Sequence, residues 1–143
     1  MKRFLSIVLA ALMLLCTCAY AASEGLEYQY DEYYEIYKVR DRGDCTDEEI
    51  VIPNEYEGKP VTWIMPDAFN GDESLKKIIL PESLELVGSD AFAKCKNLGY
   101  NELNGCAYLG SESNPYMLLW KVVDREITEI VLPEETLIVY PSA

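Results

Sequence analysis

The apolar side chains of one segment recur 23 residues later in the next segment. The segment Val61–Pro81 aligns with Leu84–Asn104 at this interval. The matched apolar pairs are Val61 with Leu84, Ile64 with Val87, Ala68 with Ala91, Phe69 with Phe92, and Leu75 with Leu98. An internal repeat of about 20 to 50 residues predicts stacked coils, each of which buries its apolar side only against its neighbours.

Two partial copies extend the repeat in both directions. Residues 127–143, "ITEIVLPEETLIVYPSA", match residues 75–91 at a shift of 52. An earlier copy begins at Ile50–Pro53 and is lengthened by "NEYEGKP". The last copy stops one residue before the expected phenylalanine, so we expect an incomplete last repeat without a cap.

One copy predicts a strand, a turn and a short helical turn. Pro81 ends the strand because proline cannot donate to a β-ladder. Gly88 supplies backbone freedom for the turn, and Ser89 or Asp90 is placed to cap a helical turn that carries Phe92. Stacked copies would place Phe69 and Phe92 one above the other in the core.

The third copy is interrupted. Asn101 and Asn104 stand where the second copy has Ile78 and Pro81. The insertion that follows contains the strand-like "PYMLLWKVV", with turns indicated at Asn104–Gly105 and Asn114–Pro115.

The N-terminal part of the repeat region is preceded by a predicted β-hairpin. Leu26–Val39 alternates apolar and polar residues around Asp31 and Glu32. Its tyrosines favour a cap whose rings cover the first coil while their hydroxyls stay in water. The alternative interpretation of these tyrosines is a platform on which carbohydrate rings stack.

The motif Leu-x-x-Ile-x-Leu-Pro-x-Ser-Leu-x-x-Val-Gly-x-x-Ala-Phe-x-x-Cys-x-x-Leu, read from Leu75 to Leu98, resembles the BspA-type leucine-rich repeat of bacterial surface proteins. The resemblance covers about 100 residues, from Cys45 to the C-terminus. It implies an α/β solenoid in which short parallel strands alternate with short helical or irregular turns, with the hairpin as N-terminal cap.

The predicted domains are a secretory signal peptide (1–21), a capping hairpin (22–44) and the repeat domain (45–143). Lys2 and Arg3 precede an apolar run from Phe4 to Leu15, and small residues stand before the predicted cleavage after Ala21. The run is too short to span a membrane, which takes about 20 residues. Lipidation at Cys16 or Cys18 is a minor alternative.

The chain is strongly acidic, with a net charge of −13. Removal of Lys2 and Arg3 with the leader leaves 10 basic against 25 acidic side chains, a net charge of −15. Such a field repels nucleic acid and anionic membranes. We therefore predict no nucleic-acid partner. The absence of a transmembrane segment after cleavage is predicted separately, from the short apolar run of the leader.

The residues give little support to metal binding or catalysis. The chain has no histidine, no Cys-x-x-Cys and no EF-hand calcium motif. Ser-His and Cys-His catalysis are therefore excluded, and no carboxylate pair stands in a context that suggests glycoside hydrolysis. We predict a non-enzymatic protein without a cofactor.

Three cysteines remain after processing: Cys45, Cys95 and Cys106. Cys45 and Cys95 would lie two coil steps apart, roughly 10 Å. Because a disulfide tolerates roughly 7 Å between Cα atoms, we predict that they are not joined. Cys106, in the insertion, is expected to be the most reactive thiol.

Strand residues that face outward would form columns across the stacked coils. One predicted column is Val51, Ile79, Glu102 and Val131, and its neighbour contains Glu49, Lys77, Tyr100 and Glu129. We predict a partner-binding face made of Val51, Lys77, Ile79, Tyr100, Glu102 and Val131. The alternative is that Val51, Ile79 and Val131 are only good strand formers.

Two functions remain open at this point. The resemblance implies a secreted or cell-surface adhesin-like protein that binds a protein or glycan on a host or neighbouring cell. The alternative is a structural spacer or terminal module of a larger bacterial envelope protein, with no ligand of its own.

Overall fold

The computed structural model describes residues 20–141, and within them every regular element is a β-strand. Most of the predicted leader therefore lies outside the described residues. The strands are β1 (Glu27–Asp31), β2 (Ile36–Asp41), β3 (Glu49–Val51), β4 (Glu55–Tyr56), β5 (Lys59–Ile64), β6 (Lys77–Ile79), β7 (Leu86–Val87), β8 (Asn101–Leu103), β9 (Cys106–Leu109), β10 (Leu118–Val122) and β11 (Ile138–Val139).

The predicted α/β solenoid is wrong, because residues 20–141 contain no helix and their sheets curl into a half-barrel. The segments expected to form helical turns are stacked turns instead. The backbone N–H groups of Phe69 and Gly71 donate to the carbonyls of Ala91 and Ala93 in the next coil. Left-handed backbone angles at Asp67 (φ 60°) and Asp90 (φ 56°) also interrupt any helix.

Successive coils pair in parallel and keep their register through the insertion. β3 pairs with β6, and β5 with β7. The N–H of Glu85 donates to Thr62 of the preceding coil. At the equivalent place 52 residues later, the N–H of Leu137 donates to Met117. The insertion thus supplies the strand that the third copy lacks.

The core contains a column of aromatic rings. Phe69 and Phe92 stack with ring centres 5.7 Å apart and planes at 5°. Tyr140 continues the column 6.2 Å from Phe92, and its hydroxyl accepts a hydrogen bond from the Phe92 N–H. The predicted stacking of Phe69 on Phe92 is therefore confirmed.

The hairpin lies beside the first coil through tyrosine contacts. β1 and β2 are antiparallel, as predicted, and β2 pairs with β5 in parallel. Asp31 orders the turn by accepting hydrogen bonds from the N–H groups of Tyr33 and Tyr34. The Tyr28 ring stacks 4.0 Å from Tyr56 of β4, so strand pairing and ring contacts together join the hairpin to the first coil.

Arg42 ties the end of the hairpin to the first two coils. Its guanidinium donates to the backbone carbonyls of Cys45 and Asp47, and to the side chains of Asp72 and Ser74. Burial disfavours the charged form of Asp72, but hydrogen bonds from Ser74 and Arg42 outweigh it and lower the pKa of the carboxyl. One half-buried cation therefore joins three segments of the chain.

Gly88 is required by a close approach rather than by backbone freedom. A Cβ at this position would lie 2.3 Å from the backbone N of Pro66 in the preceding coil. The two coils pack so closely here that only glycine fits.

Candidate functional site

The predicted face begins where β3 and β6 lie side by side. Val51 pairs with Ile79, and Glu49 with Lys77, as the repeat alignment requires. Lys77 is exposed and Val51 half-buried, but Ile79 is buried. The face therefore presents charge and edges of apolar groups rather than a row of open aliphatic side chains.

The predicted column does not continue through Glu102 to Val131. On the side away from Val51, the neighbour of Ile79 is Gly110 of the insertion. The Gly110 carbonyl also accepts a hydrogen bond from the Leu80 N–H. Glu102 pairs instead with Ala107 in the antiparallel hairpin of β8 and β9. Val131 lies outside any strand and is 64% exposed.

A groove of about 480 Å³ runs over the β6 end of this face. Three predicted face residues line it: Lys77, Ile79 and Tyr100. The insertion forms the opposite wall with Gly110, Ser111, Glu112 and Pro115. Val51 and Ile79 also line a smaller hollow beside it, of about 250 Å³, while Glu102 and Val131 line neither.

Tyr20 lies at the other side of the groove, although it precedes the predicted cleavage point. Its backbone N–H donates to Glu112 over 2.8 Å. The Lys77 ammonium lies 5.2 Å from the centre of its ring. The groove can therefore accept an aromatic ring beside Lys77, a contact that combines charge with a π face.

Tyr100 connects the groove to a second lysine. Lys121 lies with its ammonium 3.9 Å from the Trp120 ring centre and 5.0 Å from that of Tyr100. Trp120 is buried, whereas Tyr100 is 43% exposed. An exposed aromatic side chain with one cation over its ring, that of Lys121, therefore stands at the open edge of the groove.

Hydrogen bonds hold the insertion wall against the second coil. Glu82, which follows Pro81, accepts from both the N–H and the hydroxyl of Ser113. Hydrogen bonds from Ser111 and Ser113 lower the pKa of the Glu82 carboxyl despite its partial burial. These hydrogen bonds hold the insertion to the segment that follows β6.

The three cysteine thiols of the described residues are buried and do not reach the groove surface. Cys45, Cys95 and Cys106 are free, which agrees with the predicted absence of a Cys45–Cys95 bridge. Cys106 is only 1% exposed, so its predicted high reactivity is wrong. Within residues 20–141, His, Cys, Asp and Glu side chains nowhere gather in a group that could hold a metal.

The groove wall was not predicted, because residues 104–126 interrupt the repeat pattern of the sequence. The available signal was "AYLGSES", an apolar stretch followed by glycine and small polar residues. Only the bridge between Ile79 and Gly110 shows that this stretch takes the place of the missing coil strand. Because residues 20–141 form no helix, this part of the chain includes no helical membrane span.

Comparison with known proteins supports the fold alone. No family model matches the chain, and no curated protein matches it. A solved structure, the leucine-rich repeat protein TpLRR of T. pallidum, is similar with a TM-score of 0.50 and 19% identity. The likeness covers 68% of this chain and 41% of that one, so the chain spans less than half of its structural neighbour. The chain therefore has a fold like that of a bacterial leucine-rich repeat protein.

Proposed function

We propose that this chain is a non-catalytic interaction module of an exported bacterial protein, similar to the BspA-type repeat proteins, which binds a cell-surface partner through the β3–β6 groove. The observation that carries the proposal is the placement of Lys77 and Tyr100 on an open groove of about 480 Å³. Exposed aromatic side chains are enriched at contact sites for macromolecules, and charged groups at the rim of such a site steer the encounter.

The composition of the groove suits a protein or glycan ligand better than a small molecule. It is wide, and charged and polar groups make up much of its wall, including Glu49, Lys76 and Glu112. Small-molecule sites are more enclosed and mostly apolar. The partner is therefore expected to lie across the groove instead of being enclosed by it.

Solid-phase binding of the purified exported protein to extracellular-matrix and cell-wall fractions tests the proposal. We expect retention by at least one fraction, and loss of most of it in the double variant Lys77→Gln/Tyr100→Ala. The matched control is Lys59→Gln/Tyr33→Ala, which removes the same side-chain types from the hairpin side. Equal retention of both variants would remove the groove as the binding site.

A structural module of a larger envelope assembly is the second candidate. It is favoured by exposed apolar side chains on the last coil, where Leu137 is 68% and Val139 53% exposed. Binding of no fraction by the wild-type protein would favour this candidate.

A further inference from the structure

Residues 129–133 of the last coil nearly repeat residues 49–53 of the first, with the sequence "EIVLP" in place of "EIVIP". In the first coil, Ile50 and Ile52 are 0% and 2% exposed. The equivalent Ile130 and Leu132 are 46% and 42% exposed. The same apolar pattern is thus buried at one end of the molecule and open at the other.

The difference lies in strand pairing. Residues 49–51 form β3 against β6, and the Ile52 N–H donates to the Ile79 carbonyl. Within the described chain, the backbone groups of residues 128–132 make no hydrogen bond, and these residues belong to no strand. Backbone groups without partners beside exposed aliphatic side chains can receive an added strand.

Charge indicates which strand would fit. In the first coil the acidic pair Glu48 and Glu49 faces the basic pair Lys76 and Lys77: Lys76 forms an ion pair with Glu48, and Glu49 pairs in register with Lys77. Glu129 repeats Glu49 in the last coil, and Glu126, Glu134 and Glu135 are exposed around it. Residues 124–141 contain one cation, Arg125.

We propose that Glu129–Pro133 is a docking strand for an extended basic and apolar segment of another polypeptide. A lysine of that segment lies in register with Glu129, as Lys77 does with Glu49, and its aliphatic side chains cover Ile130 and Leu132. The partner strand resembles residues 76–81 of this chain, "KKIILP". This surface does not include the β3–β6 groove, so it stands independently of the function proposed above.

A second copy of the chain fits this site poorly. Its own "KKIILP" segment is already packed in its core, where Ile78 is 5% and Leu80 1% exposed. Contact between two last coils would bring the same exposed glutamates together, and like charges across an interface disfavour association.

The test uses two synthetic peptides and the purified exported protein. One peptide has the sequence of residues 74–82, "SLKKIILPE", and the other replaces its two lysines by glutamate. Fluorescence anisotropy should show binding of the lysine peptide and at least about tenfold weaker binding of the glutamate peptide, since an attraction becomes a repulsion. Glu129→Lys should reverse this preference.

Two further variants separate the alternatives. Ile130→Ser should weaken binding of the lysine peptide, with the far-ultraviolet circular dichroism unchanged because the side chain is exposed. Tyr100→Ala should leave peptide binding unaltered, which separates this site from the groove. Equal binding of both peptides, no binding up to millimolar concentration, or an insensitive Ile130→Ser variant would overturn the proposal. So would a concentration-dependent dimer in light scattering that Ile130→Ser abolishes, since the occupant would then be a second copy.

Discussion

The rings of Phe69 and Phe92 lie parallel, with their centres 5.7 Å apart and planes at 5°. They come from equivalent positions of two coils, and both are buried, at 2% and 0% exposure. Neighbouring N–H groups of one turn donate to the carbonyls of the next, so the backbone and the rings keep the same register. The stacked turns and the aromatic column therefore stabilise one another.

Removal of the middle ring should be costly. Phe92→Ala leaves a cavity between Phe69 and Tyr140, and we expect a loss of about 3–5 kcal/mol in the free energy of unfolding. Urea denaturation of the purified protein measures this loss. Tyr33→Ala, at an 86% exposed position, should change stability by no more than about 0.5 kcal/mol. Similar losses in both variants would contradict the assigned core.

Loss of the Asp72 carboxylate should destabilise the junction of hairpin and coils. Asp72→Asn removes a charged acceptor from the half-buried Arg42, and we expect a cost of about 1.5–3 kcal/mol at neutral pH. The pKa of Asp72 is lowered from 3.8. Its stabilising contribution is therefore complete above pH 3.8 and is lost as the pH falls through the lower folded value.

Urea denaturation at several pH values checks this, and the difference between wild type and Asp72→Asn should shrink below pH 3.8. The exposed pair Lys59–Glu35 provides the control, because solvent screens this pair and Lys59→Gln should change the stability little at any pH. This role of the Asp72 carboxylate would be contradicted if the difference in unfolding free energy between wild type and Asp72→Asn stayed constant down to the lowest pH at which both proteins fold.

The tyrosine cluster should make the fold sensitive to alkali. Burial, with the neighbouring Tyr56, raises the pKa of Tyr28 to about 12. A hydrogen bond to Glu57, with burial, raises that of Tyr37 to about 12. The folded state keeps these phenols protonated while the unfolded chain ionises near pH 10. The stabilising contribution is therefore present below pH 10 and is lost as the pH rises towards 12.

A spectrophotometric titration of tyrosinate measures this effect. At least two tyrosines should ionise well above the others, and Tyr28→Phe should remove one of these late transitions. The variant should also lose less stability between pH 10 and 12 than the wild type. A single transition near pH 10 for all tyrosines of the folded protein would contradict the packing of the cluster.

The thiols should resist modification in the folded protein. Cys45, Cys95 and Cys106 are all buried and free, and burial raises the pKa of the Cys95 thiol, which further reduces its reactivity. Ellman's reagent should therefore react slowly with the folded protein produced without residues 1–21, and with three thiols per chain after addition of guanidinium. Rapid reaction of one thiol in native buffer would show that its segment opens.

The local parts of the fold could be predicted because short stretches of sequence specify them. The hairpin follows from alternation around Asp31, whose side chain itself orders the turn. The turn at Asn104–Gly105 follows from two residues that tolerate the left-handed angles found there, φ 51° and 75°. Half of the candidate face was also predictable, because Val51 and Ile79 lie at equivalent positions of adjacent copies.

The other half of the face was decided by a long-range pairing. Gly110, rather than Glu102, lies beside Ile79 because the insertion folds back and completes the sheet. The alignment of copies carries no information about which strand of an insertion pairs with the coil. The groove, whose wall is formed by this insertion, was therefore not predictable.

The amino-acid sequence by itself determined the repeat, its register and the stacking of Phe69 on Phe92, because these two large apolar side chains occupy equivalent positions of adjacent copies and can be buried against each other. Only the tertiary structure decided that the turns are not helical and that Gly88 is needed for space. The N–H groups of Asp67, Phe69 and Gly71 bond to the next coil rather than within their own chain segment. That choice depends on how closely two coils approach, a distance that no single copy of the repeat contains.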